Sequence, residues 1–233
     1  MLTELKQEMQ HLADKERVHN LSRFFKTGKG HYGEGDKFLG LTVPQQRSLV
    51  NKYALSLPEI QQLLDSHWHE HRLTALLSLV KNYQKTKINA EREKIVLFFL
   101  QNSRKINNWD LVDSSAPYIL GNHLLTNNRA IIYKLAKSKN LWEKRISIVT
   151  TAYLIKNNQY EDTLKVAEIL LHDKHDLIHK AVGWMLREVG KKDQEVEEKF
   201  LDKHYQIMPR TMLRYAIEKF SEEKRQHYLA KDR

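Results

Sequence analysis

Two tryptophan and carboxylate pairings stand out among the residues able to do chemistry. Trp109 and Asp113 lie four residues apart, so a helix places an indole and a carboxylate one turn apart on one face. Such a pair can stabilise positive charge developing on a sugar, through the ionised acid and the π-face of the indole, or can orient a water. The same spacing suits a core tryptophan and an aspartate that caps the following Ser114-Ser115-Ala116-Pro117 start, and spacing by itself favours that structural reading. Trp184, Arg187 and Glu188 form a second such face, for which a buried indole beside an intrahelical ion pair is again the simpler account.

Basic residues recur in register. Arg72, Arg145, Lys180 and Arg214 occupy corresponding places in similar apolar segments, at separations of 73, 35 and 34 residues. The first gap is close to two units, and the missing copy falls where Asn107-Asn108-Trp109-Asp110-Leu111-Val112-Asp113 stands. A one-sided row of bases is the electrostatic footprint of a surface that binds a nucleic-acid backbone, whereas isolated lysines and arginines are ordinary solvated charges. The twelve histidines include the run His67-Trp68-His69-Glu70-His71, but neither an HExxH spacing nor a companion cysteine accompanies it, so no metal site is expected. Residues 26–36 hold four of the eight glycines and must form a loop or hairpin, either a plain connector or a segment that touches a phosphate backbone.

The elements that would position these groups are helices. Apolar residues recur at helical spacing, as in Leu73, Leu76, Leu77 and Val80 or Ile146, Val149 and Tyr153, and only 8 glycines and 4 prolines interrupt the chain. Ser56-Leu57-Pro58-Glu59 and Asn140-Leu141-Trp142-Glu143 each offer a capping side chain followed three residues later by glutamate, a helix-start pattern. With a period of about 35 residues, the expected fold is all-α, an α-α superhelix, or solenoid, of HEAT-like helical repeats. Residues 1–233 are expected to form one such domain, whose second helices line a common surface bearing the repeated bases. An irregular helical bundle is the alternative.

Composition narrows the function. The 39 Lys and Arg residues against 29 Asp and Glu give a formal charge of +10, which favours a polyanionic partner. The complete lack of cysteine excludes disulfides, thiolate nucleophiles and Cys-containing zinc sites, and suits a reducing compartment. The first residues, MLTELKQEMQHLADKER, lack the apolar core of a secretory signal, and no apolar run is long enough to span a bilayer. A cytoplasmic protein with no membrane association and no cofactor is expected.

Taken in order, Phe38-Leu39-Gly40-Leu41-Thr42-Val43-Pro44, Asn108-Trp109-Asp110-Leu111-Val112-Asp113, Leu141-Trp142-Glu143-Lys144-Arg145 and Ala181-Val182-Gly183-Trp184-Met185-Leu186-Arg187-Glu188 resemble the AlkD-like DNA alkylation repair family of HEAT-like repeat DNA glycosylases. The resemblance implies a C-shaped stack around duplex DNA and hydrolytic excision of N3- or N7-alkylated purines without burial of the damaged base in a pocket. It implies that Trp109, Asp113 and Trp184 stand in the catalytic cleft. Arg145 would contact the DNA backbone there, and Arg187 would lie beside it. Lys180, Arg214 and Arg72 join them as expected DNA-binding residues through the repeat register. The expected partner is duplex DNA containing alkylated bases, bound by a monomer without metal. One departure is visible: where the best-known members carry a tyrosine near the N-terminus, this chain has Phe24-Phe25 and then the glycine-rich segment. The alternatives are a non-catalytic paralogue that recognises damaged or branched DNA and a scaffold that binds an acidic protein.

Overall fold

The computed structural model describes residues 1–230. Its regular structure is helical, and among the described residues the only β-type pairing is an isolated parallel bridge between Lys37 and Trp68. No helix of the described residues is long and apolar enough to cross a membrane. The chain divides into two units, Met1–Ser115 and Ala116–Arg233.

In the first unit, α1 (Leu2–His11), α2 (Lys15–Phe24), α3 (Val43–Lys52), α4 (Leu57–Leu64), α5 (His69–Lys85), α6 (Asn89–Gln101) and the short α7 (Trp109–Asp113) follow in order. Their starts are set by local chemistry. Asp14 accepts hydrogen bonds from the amides of Glu16 and Arg17 at the head of α2, and Thr42 and Gln45 form a reciprocal capping box at α3 with Pro44 inside its first turn. At α4 the Glu59 carboxylate accepts from the Ser56 amide at 2.9 Å and from its hydroxyl at 2.8 Å, as the sequence pattern requires. Helix α5 is the axis of the unit: Leu73, Leu76, Leu79 and Tyr83 are at most 2% exposed, and α3, α4, α6 and α7 all pack on it.

Residues 26–36 form a succession of turns without strands. The amides of His31, Glu34 and Asp36 donate to the carbonyls of Gly28, His31 and Gly33, and the Gly30 amide donates to Glu34 at 2.7 Å. The segment after it runs past the N-terminus of α2, where the Asp14 amide donates to the Leu39 carbonyl at 2.8 Å. Gly40 adopts φ +91° there, and a Cβ on it would collide with the Asp14 carbonyl oxygen. Gly40→Ala is therefore expected to destabilise the protein by about 2–3 kcal/mol, combining backbone strain with a steric clash. Urea titration of the two proteins measures it, and a difference near zero would contradict this geometry.

In the second unit a π-helical turn over Pro117–Gly121 leads into α8 (Asn122–Leu124), α9 (Ala130–Ala136), α10 (Leu141–Lys156), α11 (Glu161–Leu170), α12 (Asp176–Gly190), α13 (Gln194–His204), α14 (Arg210–Ala216) and α15 (Glu222–Leu229). Helices α10, α12 and α14 pack side by side, with α9 and α11 against α10 and with α11 and α13 against α12. The close approaches repeat as well. Gly121 lies against Thr150 and Tyr153 of α10, and Gly183 of α12 lies against Met212 and Tyr215 of α14, at the same offsets of 29 and 32 residues. The repeat inferred from the bases thus has a packing counterpart. Asn140 caps α10 by accepting from the amides of Trp142 and Glu143. Glu143, however, receives the Ser138 hydroxyl at 2.5 Å, a partner that the capping pattern did not anticipate.

Glu197 on α13 is 1% exposed with no hydrogen-bond partner for Oε1, and burial pushes its pKa up to about 9, so at neutral pH it is an uncharged acid packed against Gly190.

Candidate active site

Helix α7 is only five residues long and begins where the Asn108 side chain accepts the Trp109 amide at 2.8 Å. Leu111 and Val112 are fully buried and turn one face to the core, which leaves Trp109 and Asp113 half-buried on the other. Both line one pocket of about 390 Å3 within the first unit. The helical turn that begins at Pro117 has Ala116 at its N-cap and no side-chain cap.

The pocket wall is aromatic. Phe25 stacks on Trp109 at 5.5 Å between centroids and 22° between planes, and on Phe38 at 5.2 Å and 18°. Phe24 stands edge-on to Trp109 at 5.7 Å and is 62% exposed. The Phe24-Phe25 pair thus gives Trp109 one packed partner and one solvent-facing partner, an arrangement with π-faces for a sugar or a base edge.

Behind this wall lies a buried charge cluster. His69 Nε2 lies 2.8 Å from Asp110 Oδ2 and His69 Nδ1 lies 3.2 Å from Asp36 Oδ2. Asp36 also accepts from Arg72 at 2.6 Å and from the Asn108 amide at 3.1 Å. Burial alone would lower the His69 pKa, but the hydrogen bonds and charges of Asp110 and Asp36 outweigh it and push it up to about 9. Asp36 is held below the usual carboxylate range: burial opposes this, and His69, Arg72 and Asn108 override it. The neighbouring Glu70 carboxylate accepts the backbone amides of Leu39, Gly40 and Leu41 at 2.9, 2.8 and 3.3 Å, which fixes the pocket segment bearing Phe38 and Leu41.

The run His67–His71 therefore supplies ion-pair chemistry. Among the described residues no group of three or more potential ligands is arranged to hold a metal ion. The sequence singled out none of His69, Asp36, Glu70 or Asp110 for the site. Each is unremarkable by type and spacing, and only the tertiary fold brings them together.

The repeated bases share a register but not an environment. Arg145, Lys180 and Arg214 are each the fifth residue of their helix, on α10, α12 and α14. Arg214 is exposed and Lys180 is half-exposed beside Asp176 at 2.7 Å. Arg145 is 5% exposed and donates to the Leu177 carbonyl at 2.8 Å, while Arg72, on α5, is 5% exposed and tied to Asp36. The expectation that all four bases present one solvent-facing surface is thus corrected for Arg72 and Arg145, because buried acceptors hold both guanidinium groups. On α12, Trp184 is half-buried and donates its indole N–H to Glu188 at 3.2 Å, and Arg187 pairs with Glu218. The intrahelical pairing expected for Arg187 and Glu188 is loose at 3.7 Å, since Glu188 also takes Lys191 at 2.7 Å.

Among the described residues the chain is helical, and its first unit carries an indole and an acid on one face of an aromatic pocket. The chain belongs to the DNA alkylation repair enzyme family, whose pattern it matches over residues 5–220. Its structure is similar to that of a predicted DNA alkylation repair enzyme from Enterococcus faecalis, at a TM-score of 0.68 and 15% identity over 90% of this chain and 97% of that one. That likeness concerns the fold. No curated protein matches the sequence.

Proposed function

We propose that this protein is a DNA glycosylase that removes cationic N3- or N7-alkylated purines from duplex DNA, the first step of base excision repair. The observation that carries the reading is the joint placement of Trp109 and Asp113, both half-buried, on the wall of one pocket. An alkylated purine already bears positive charge. The bond from the sugar C1′ to the base breaks with its electron pair passing to the base, which leaves neutral. The sugar is left as an oxocarbenium ion, and water adds at C1′ with loss of one proton. Leaving-group protonation is unnecessary, so the demand on the protein is stabilisation of the sugar cation. Asp113 supplies the negative charge and orients the water, while Trp109 packs against the sugar of the lesion.

In this reading residues 1–233 act as one HEAT-like repeat domain, as a cytoplasmic monomer without cofactor, and the family match across both units supports that extent. The net charge of +10 supports a DNA partner. Phosphate contacts fall to the exposed Arg214 and the half-exposed Lys180, with Arg187, paired with Glu218, beside them. Arg145 contributes by fixing its carbonyl partner, and Arg72 by fixing Asp36.

The test is release of free base. Purified protein incubated with methylated duplex DNA is expected to liberate 3-methyladenine or 7-methylguanine well above the spontaneous rate, read by chromatography of the soluble fraction. Tight duplex binding with no release above background would replace the glycosylase reading with a non-catalytic damage-binding one.

A further inference from the structure

Burying ionised groups is unfavourable unless each finds partners, and the first turn of α5 buries His69, Glu70 and Arg72 together. Such a cluster calls for an account in terms of what it holds in place. It joins three segments distant in sequence: Asp36 at the end of the glycine-rich turns, His69 and Arg72 on α5, and Asn108 and Asp110 on α7. The side chains of His69, Asp36 and Asp110 are 3%, 7% and 13% exposed.

Helix α7 needs external anchors. A five-residue helix is a little more than one turn and has almost no intrinsic stability, so its orientation is set by what grips it. Leu111 and Val112 turn one face of it into the core and Phe25 stacks on Trp109, and polar contacts must hold the remainder of the turn. Asp110 lies between Trp109 and Asp113 on the same turn, and the bond its carboxylate accepts from His69 Nε2 ties that turn to α5, beside the tie from Asn108 to Asp36.

We propose that His69, doubly hydrogen-bonded between Asp36 and Asp110, is a positioning residue that sets the orientation of α7 and so holds Trp109 and Asp113 toward the pocket. The activity arm of this proposal rests on the glycosylase reading above. A neutral imidazole has one donor and one acceptor nitrogen, whereas both His69 nitrogens face carboxylate oxygens. Only the imidazolium satisfies both contacts. Phe25 and Phe38 lie over the ring at 4.7 and 4.9 Å, where their π-faces suit a cation. The other charged groups about it are Arg72 and Glu70 on α5, Arg17 on α2 and Asp113 on α7, with Asn108 as the neutral member of the cluster. Its raised pKa places loss of the proton near pH 9. Above that pH one of the two contacts fails, and α7 is expected to loosen.

The experiment follows the Trp109 indole N–H resonance by NMR from pH 7 to 10, assigned by its loss in Trp109→Phe, alongside single-turnover excision over the same range. In the wild type the resonance should shift through a transition near pH 9, and excision should fall across it. In His69→Gln the transition should vanish, the resonance should already sit at its alkaline position at pH 7, and excision should be about tenfold lower with a flat profile. A Trp109 resonance without a transition, or a transition that survives in His69→Gln, overturns the proposal. So does a variant that excises with the wild-type profile. Should His69→Gln fail to fold, Asp110→Asn removes the negative charge facing Nε2 and leaves Asp36 and Arg72 paired. The proposal then requires the transition to move to lower pH, and an unmoved transition refutes it. If the wild type releases no base at all, the glycosylase reading falls, while the Trp109 titration still decides the positioning role.

Discussion

Asp113→Asn is expected to lower single-turnover excision by about 100-fold to 1000-fold, the range seen when one preorganised electrostatic contact to a developing charge is removed. Affinity for the duplex should stay within about threefold, because the substitution is isosteric and binding is dominated by phosphate contacts elsewhere. The contrast is the informative part. Asp113 is half-buried on the pocket wall that Trp109 also lines, and asparagine matches its shape while removing its charge. A general loss of folding would lower both quantities together, and fluorescence anisotropy on a labelled duplex separates the cases. Excision by the variant at the wild-type rate would remove Asp113 from the chemistry.

The register of this site was legible in the sequence, whereas its setting was not. Spacing of four residues was enough to place Trp109 and Asp113 on one helical face, and the apolar pair Leu111 and Val112 between them fixed which face turns inward. The same local logic found the starts of α4 and α10 and the common register of Arg145, Lys180 and Arg214. These are properties of one turn of helix, and nearest neighbours determine them. The charge cluster is of another kind. Its hydrogen bonds span 33, 36, 41 and 72 residues, from His69 to Asp36, Arg72 to Asp36, His69 to Asp110 and Asn108 to Asp36. Periodicity says which way a side chain points but not which distant loop folds over it. Hence Arg72, in phase with the other bases, was expected at a surface and is instead covered by the end of the glycine-rich turns. The role of those turns was open for the same reason: they deliver Asp36, a function invisible in a run of glycines.

That dependence makes Asp36 the residue whose loss should cost most stability. Asp36→Ala is expected to reduce the unfolding free energy by about 3–5 kcal/mol at neutral pH, since it takes away the carboxylate paired with buried Arg72 and leaves His69 with Asp110 alone. Arg72 would keep only its hydrogen bond to the Ser66 carbonyl at 3.1 Å, and its Nε already lacks a partner. The pH dependence distinguishes this from a simple packing defect. In the wild type the His69 pKa is raised from 6.5 to about 9, so its contribution is complete below pH 6.5 and is lost as pH rises through 9. A shift of that size corresponds to about 3 kcal/mol. Asp36, whose pKa is lowered, contributes in the opposite sense, and its stabilisation fades as pH falls through its folded value. Removing Asp36 takes away one of the two carboxylates that raise the His69 pKa, so the alkaline decline should flatten and begin at lower pH. Urea titrations at pH 6, 7.5 and 9.5 read both effects. A cost below about 1 kcal/mol at neutral pH, as for an exposed ion pair, would mean that the cluster does not bear on the fold as its burial indicates.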